Sequence, residues 1–411
     1  MKRFLSLLIT ICALPALGSC SVYANYREIQ QLMVVQTMGI DREKGGVQVS
    51  MAAAAEASGG GPKRMTAQGA TITAAIDRAY KLSYEEEVFL SHVNNLLVGE
   101  AAAEEGLEDF LDYICQSPDM RIDMPLYIVR EDSASRAVME VGDGSKGIAE
   151  VMQSVREGFA SPSNSQVFTV AGTVNSLARY DSALVCAIRC ETPTETVGTE
   201  KKADSGQSGQ TQDRQQAPEQ GSGEESGETA GQEQNPLTAS PAGYAVIREG
   251  KLCKFIEPEE TAAVGLLTGS LPITDITVRD RNGKNATLEL YQGSAEITPV
   301  WGGKGQLKGL NIQVQVSASV LESSSRDSGS SNEYIDQLTA QLESAVSQQL
   351  NSLLRSSMKL KADFLGLAGR VERSSPENYR LMSQPFPELL PGLELQITVS
   401  GQLSHTNDTK E

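Results

Sequence analysis

The hydrophobic pattern of this chain switches between the short apolar runs of strands and the three-to-four spacing of helices. Residues 32–40 (LMVVQTMGI) read as a buried strand, Gly45-Gly46 as a turn, and residues 47–55 as the returning strand. Residues 69–82 place Ile72, Ile76, Ala79 and Tyr80 on one helical face. A strand over 88–98, a helix over 104–115 with Leu107, Phe110, Leu111 and Ile114 inward, a strand over 125–130 and a helix over 147–158 follow. Strands at 183–190 and 243–255 come next, the latter a hairpin around Arg248-Glu249-Gly250. Pro258, with Glu259 and Glu260 behind it, opens a helix through Leu267. Strands then recur at 276–279, 287–290, 295–299 and 310–321, the first two around Asn282-Gly283. A long helix over 333–359 carries Ile335, Leu338, Leu342, Val346, Leu350 and Leu354 as one stripe, and a strand at 393–403 closes the pattern. The alternation predicts an α+β protein of three mixed α/β domains, each a sheet packed with helices.

One stretch has no apolar period. Residues 192–240 are dominated by Gly, Ser, Gln, Glu, Thr and Pro, a composition that cannot bury enough surface to offset its ordering entropy. This is an acidic insert expected to be disordered. It lies between two strand-like pieces, so it reads as a long loop within one domain, which costs little extra closure entropy. The expected organisation is residues 1–19 as a leader, 20–165 as an N-terminal domain, 166–272 as a middle domain holding the insert, and 273–405 as a C-terminal domain.

The leader follows from the opening residues. Lys2 and Arg3 precede an apolar run over 4–16, which ends in Leu17-Gly18-Ser19-Cys20. A basic end, a short apolar core and small residues at a cleavage point make a secretory signal peptide. The run is shorter than the roughly 20 residues a spanning helix needs. A cysteine directly after the small pair resembles the bacterial lipobox, in which the thiol takes a diacylglyceryl group. Cys20 is therefore the expected lipid attachment site. Each buried methylene adds about 0.8 kcal/mol, so two chains anchor stably where one does not.

Charge agrees with an anchor of this kind. The chain carries 53 acidic and 35 basic side chains, a net charge of −18. Loss of the leader removes Lys2 and Arg3 and no acid, giving −20. Such a chain is repelled by nucleic-acid phosphates and by anionic headgroups alike, so nucleic acid is excluded as a partner and a basic membrane patch is not what holds it. Of six cysteines, Cys12 leaves with the leader and Cys20 takes lipid. Cys186 and Cys190 lie four apart on one expected strand, about 13 Å, against the roughly 7 Å a disulfide allows. The default for Cys115, Cys186, Cys190 and Cys253 is a buried, unpaired thiol; a bridge from Cys186 or Cys190 to Cys253 is the open alternative.

Chemistry-bearing motifs are sparse. The two histidines are His92, expected as a packed, hydrogen-bonded residue beside a strand, and His405 in a polar tail. There is no His-Glu-x-x-His or Cys-x-x-Cys metal motif and no Gly-x-Ser-x-Gly elbow. Gly59-Gly60-Gly61-Pro62-Lys63 and Gly302-Gly303-Lys304-Gly305 lack the spacing and the Ser/Thr of a phosphate loop. No catalytic residue, metal site or cofactor is expected.

Four segments, in order across nearly the whole mature chain, resemble the Ger(x)C family, the C subunits of spore germinant receptors. After the lipobox come Asn25-Tyr26-Arg27-Glu28-Ile29 and Met38-Gly39-Ile40-Asp41. Ser91-His92-Val93-Asn94 leads to Leu97-Val98-Gly99-Glu100-Ala101, Gly106-Leu107-Glu108-Asp109-Phe110-Leu111 and Arg121. Residues 244–252 with Glu260-Thr261 and Gly265 resemble the family's hairpin and helix, and Leu360-Lys361-Ala362-Asp363-Phe364-Leu365-Gly366 with Pro376 and Tyr379 its C-terminal signature. Two positions and one segment depart from the family pattern: Tyr379 stands where Trp is usual, Ser21 follows the lipidated cysteine where Trp is frequent, and the acidic insert is additional.

The resemblance implies three α+β domains and no enzymatic activity. It implies membrane-embedded A and B receptor subunits as partners, and tethering by Cys20 on the outer leaflet of the spore inner membrane. The chain would then act in assembly or signal transmission. A solute-binding lipoprotein feeding a transporter is the rival class; it predicts two similar lobes about one cleft. An anchored hydrolase is the third, and lacks a nucleophile or metal constellation.

Overall fold

A computed structural model describes residues 32–53, 62–83, 87–142, 146–159, 168–192, 237–271, 273–280, 282–323 and 332–404. The leader, Cys20, residues 25–29, 193–236 of the insert and His405 lie outside these.

The first half forms a nine-stranded mixed sheet. β1 (Leu32–Glu43) pairs antiparallel with β2 (Gly46–Ala53), which pairs with β3 (Arg64–Gly69). On its other side β1 runs parallel to β4 (Glu87–Phe89) and β5 (Asn95–Gly99). β6 (Leu126–Val129) and β7 (Ser182–Glu191) continue the parallel block. β8 (Thr238–Arg248) and β9 (Lys251–Ile256) add antiparallel strands at the far edge. The inner parallel strands β5 and β6 are buried along their whole length, in keeping with their apolar sequences.

Helices cover the two faces. On one side lie α1 (Ile72–Leu82), α3 (Glu108–Gln116) and α6 (Val170–Tyr180), whose apolar stripes share a core with Met38, Ile40, Leu96 and Ile128. On the other lie α4 (Ala134–Glu140) and α5 (Ile148–Phe159), packed on Leu97, Tyr127 and Val129. Between β5 and α3, α2 (Glu100–Glu105) stops at Gly106, whose φ of 140° breaks the single helix expected over 104–115. Residues 88–98 likewise divide into β4 and β5, because Leu90 and Val93 both turn inward and the Val93 N–H closes a turn on Leu90.

A 3₁₀ turn (Pro258–Glu260) and α7 (Thr261–Thr268) lead to a four-stranded sheet. Its order is β10 (Thr274–Arg279), β11 (Asn285–Gly303), β12 (Gln306–Ser323), β13 (Glu394–Ser404). The segments expected as separate strands at 287–290 and 295–299 are one strand, β11, kept in register past an irregularity at Leu290–Gln292. Between β12 and its parallel neighbour β13 runs α8 (Asn332–Leu360), with Leu338, Leu342, Val346, Leu350 and Leu354 fully buried. Tyr334 opens that stripe in place of Ile335, which is half-buried. Three short helices follow: α9 (Leu367–Ser374), α10 (Pro376–Arg380) and α11 (Phe386–Leu389).

The α+β class holds. The described strands fall into two sheets, because β6 pairs in parallel with β7 across the boundary expected at residue 165. One apolar core then runs from Tyr127 and Val129 through Val246, Ile256 and α7 into the second sheet and α8.

Candidate functional site

The glycine and carboxylate of Met38-Gly39-Ile40-Asp41 meet those of Leu97-Val98-Gly99-Glu100 at one place. Both segments end parallel strands, and they face the start of α4. The Asp41 carboxylate is 7 % exposed and accepts the Ala134 N–H at 2.9 Å and the Ser135 N–H at 2.7 Å. Burial raises its pKa, against the lowering effect of the two N–H donors. Ser133 caps the same helix, its hydroxyl accepting from the Arg136 N–H at 3.1 Å. The glycines are required by the closeness of this helix. A Cβ on Gly99 would lie 2.1 Å from Asp41 Oδ1, and one on Gly39 3.0 Å from the Ala134 carbonyl oxygen. Glu100 completes the junction by accepting the N–H of Glu131, which sits at φ 61° in the left-handed region.

Above this junction opens a cleft of about 520 Å³ at the carboxyl ends of the strands, lined by Asp41, Glu43, Glu100, Glu104, Glu131 and Asp132 with Arg42. Its charged rim is tied outward. Arg42 contacts Asp109 at 3.0 Å and lies over the Phe110 ring, Arg189 contacts Glu131 at 2.8 Å, and Arg136 reaches Asp132 at 2.6 Å. Arg130 forks onto Glu257 at 2.9 and 3.0 Å and covers Phe255, joining the end of β6 to the end of β9. The hydrogen-bonding oxygens of Asp41 are committed to backbone N–H groups, and no group of metal-ligating side chains occurs among the described residues. The arrangement fixes a helix to a sheet.

The second signature works the same way. α8 ends at Leu360, and Lys361 takes the left-handed position at φ 49°. Gly366, at φ 67°, begins α9. Asp363, 1 % exposed, accepts the N–H groups of Leu367 at 2.7 Å and Ala368 at 2.8 Å. Burial pushes its carboxyl up to about 7 despite those donors. The helix it starts reaches the first half through Glu372, which pairs with Arg179 of α6, while Arg370 donates to the Leu267 and Ala295 carbonyls within the second half. Gly369 is needed there, since a Cβ would fall 2.3 Å from the Tyr180 hydroxyl.

Other expected residues fall apart from these junctions. His92 is exposed in the turn between β4 and β5, its ring 5.6 Å from Phe89, and is not a buried packed residue. Arg121 pairs with Asp123 at 2.7 Å on the surface. Pro376 opens α10, and Tyr379 is half-buried beside the core. All four described cysteines are free. Cys186 is buried, Cys190 half-buried, and Cys115 and Cys253 are exposed, which corrects the expectation of burial for the last two. Cys115 lies outside the inward stripe of α3, and Cys253 is on the outer strand β9. Sequence reasoning missed α4, α6 and the carbonyl contacts of Arg370. The Ser133-to-Arg136 cap was the one local signal for α4, while Arg370 bonds carbonyls 75 and 103 residues away and left none.

Residues 25–155 match the family model described as spore germination protein N-terminal domain. Residues 242–407 match that described as spore germination B3/GerAC like, C-terminal. A solved structure, the crystal structure of the GerBC protein, is similar over 89 % of this chain and 96 % of its own, with TM-score 0.52 and 15 % identity. No curated protein matches the chain. No helix among the described residues is long and apolar enough to cross a membrane. Two models matching in order on either side of the insert, together with a shared fold over nine-tenths of the length, decide the matter: the chain belongs to the Ger(x)C family of spore germination proteins.

Proposed function

We propose that this chain is the lipid-anchored C subunit of a nutrient germinant receptor. A diacylglyceryl group on Cys20 holds it to the outer leaflet of the spore inner membrane, beside membrane-embedded A and B subunits. It acts through assembly or signal transmission and not through catalysis. The observation that carries this reading is the use made of the family-like motifs. Asp41, Gly99, Glu100 and Asp363 fix helices and turns in place against the sheets. Residues used in this way preserve a rigid body with a defined surface, which is what an assembly subunit needs.

The test is affinity purification of the full chain from spore membranes, together with a null strain. The expected result is recovery of the A and B subunits, and spores that fail to respond to one nutrient set while germinating by receptor-independent routes. Normal nutrient germination of a null with no redundant copy overturns the reading. A micromolar dissociation constant for a sugar or amino acid, about −8 kcal/mol, would instead place the chain with solute-binding lipoproteins.

A further inference from the structure

The two edges of the parallel block differ. At the carboxyl ends of β1, β5 and β6 lies the acidic cleft. At the amino ends, Leu32 of β1 pairs with Glu87 of β4, so the C-terminus of α1 and the loop before β6 both reach that edge. Three large apolar side chains are exposed there: Tyr80 at 36 %, Leu82 at 51 % and Ile122 at 46 %. Ile76 and Ala79 of α1, Ile114 of α3 and Met120 of the loop after it share one apolar core, with Tyr113 packed against it.

We propose that this amino edge is the membrane-facing surface, with Tyr80, Leu82 and Ile122 set into the headgroup layer of the bilayer and the acidic cleft turned away. The proposal rests on the anchoring reading above. Twelve residues from Cys20 to Leu32 span at most about 40 Å, which keeps the Leu32 end of β1 within that distance of the membrane. The tether alone permits rotation; the face is chosen by side chains. Apolar groups with a tyrosine among them suit the interfacial layer, whereas anionic headgroups repel the carboxylates of the cleft. A covalent anchor raises the local concentration of lipid to the point where a contact with a millimolar dissociation constant is populated, so three side chains suffice.

Trp301 is the single tryptophan, so wild type supplies the fluorescence background. The full, lipidated chain carrying Leu82→Trp, Ile122→Trp or Glu43→Trp is reconstituted into phosphatidylcholine–phosphatidylglycerol vesicles with brominated acyl chains. Acylation of Cys20 is checked by mass. The expected result is that the new tryptophans at 82 and 122 lose at least half their emission while that at 43 does not. Equal emission with and without bromine at 82 and 122, in acylated protein, overturns the orientation and leaves the anchoring reading standing. Quenching at 43 in their place overturns it too. Shielding of 82 and 122 from a water-soluble quencher only when the A and B subunits are present assigns the edge to a protein partner and also overturns the proposal. An unacylated Cys20 is the outcome that defeats the anchoring reading itself.

Discussion

Asp41 and Ala134 are 93 residues apart in sequence and joined by a 2.9 Å hydrogen bond, so a side chain near the end of a strand fixes the first turn of a helix against the sheet. Gly99 is the third member, since its missing Cβ leaves room for the carboxylate. Gly99→Ala is expected to destabilise the fold by about 1–3 kcal/mol through overpacking. Asp41→Ala is expected to cost about as much by leaving buried N–H groups unpaired. Urea unfolding checks both; midpoints equal to wild type would show that the junction is not stabilising.

Asp363 ties stability to pH. Its carboxyl titrates near 7 when folded and near 3.8 when free. The folded state therefore holds its proton more tightly. The stability this supplies is full below about 3.8 and is lost as pH rises through 7, at no more than about 1.4 kcal/mol per pH unit. In Asp363→Asn that slope disappears. Unfolding free energies of the two proteins, compared at pH 5 and pH 8, should diverge in slope; parallel curves would contradict the assignment.

The thiols should separate by exposure. Cys115 and Cys253 react quickly with a thiol reagent in the native protein. Cys190, held up to about 12 by burial, reacts slowly, and Cys186, buried and raised further, reacts only on unfolding. Time-resolved labelling followed by peptide mass mapping gives the order.

Replacing residues 193–236 by a turn of two to five residues should preserve the fold. Glu191 and Thr238 are paired in the β7–β8 register, so the cut ends already stand at hairpin distance. A shorter loop loses less closure entropy, and stability is expected to stay the same or rise by at most about 2 kcal/mol. A non-cooperative thermal transition in the shortened chain would show that the segment packs.

Cys20→Ala is expected to move the protein from the membrane fraction to the soluble one, or to leave it unprocessed. Retention in the membrane at mature size, with no acyl label on wild type, would refute the anchor.

What the sequence made legible follows its physics. β1, β7 and α8 could be read because each carries a long, uninterrupted signal: continuous apolar residues, or a three-to-four stripe over 29 residues. β3 could not, since Arg64-Met65-Thr66-Ala67-Gln68-Gly69 has little strand character and is held by pairing to β2 and by Arg64 donating to the Met139 and Val141 carbonyls. The shared sheet was hidden for a related reason. Strand partners that meet across a helix are chosen by tertiary packing, and residues 126–129 carry no mark of their partner at 186–188. Of the candidate site, Asp41, Gly99 and Asp363 were visible as motif members. Their use as helix-fixing groups became clear only once α4 and α9 were placed against them.

The position of the insert also sets an order of events during synthesis. β1, β5, β6 and β7 are complete once residue 191 has been made, and their parallel pairings can form from that point. β8, the strand that covers the other edge of β7, is more than forty residues downstream. In that interval β7 presents an unpaired edge along ten residues, a feature that recruits other strands when left bare. The residues that follow it directly are polar and rich in glutamate and glycine, a composition that resists adding a strand to that edge. The stretch that separates β7 from its partner strand in sequence is thus a hydrophilic one, and the core shared by the two halves draws on residues from both sides of it.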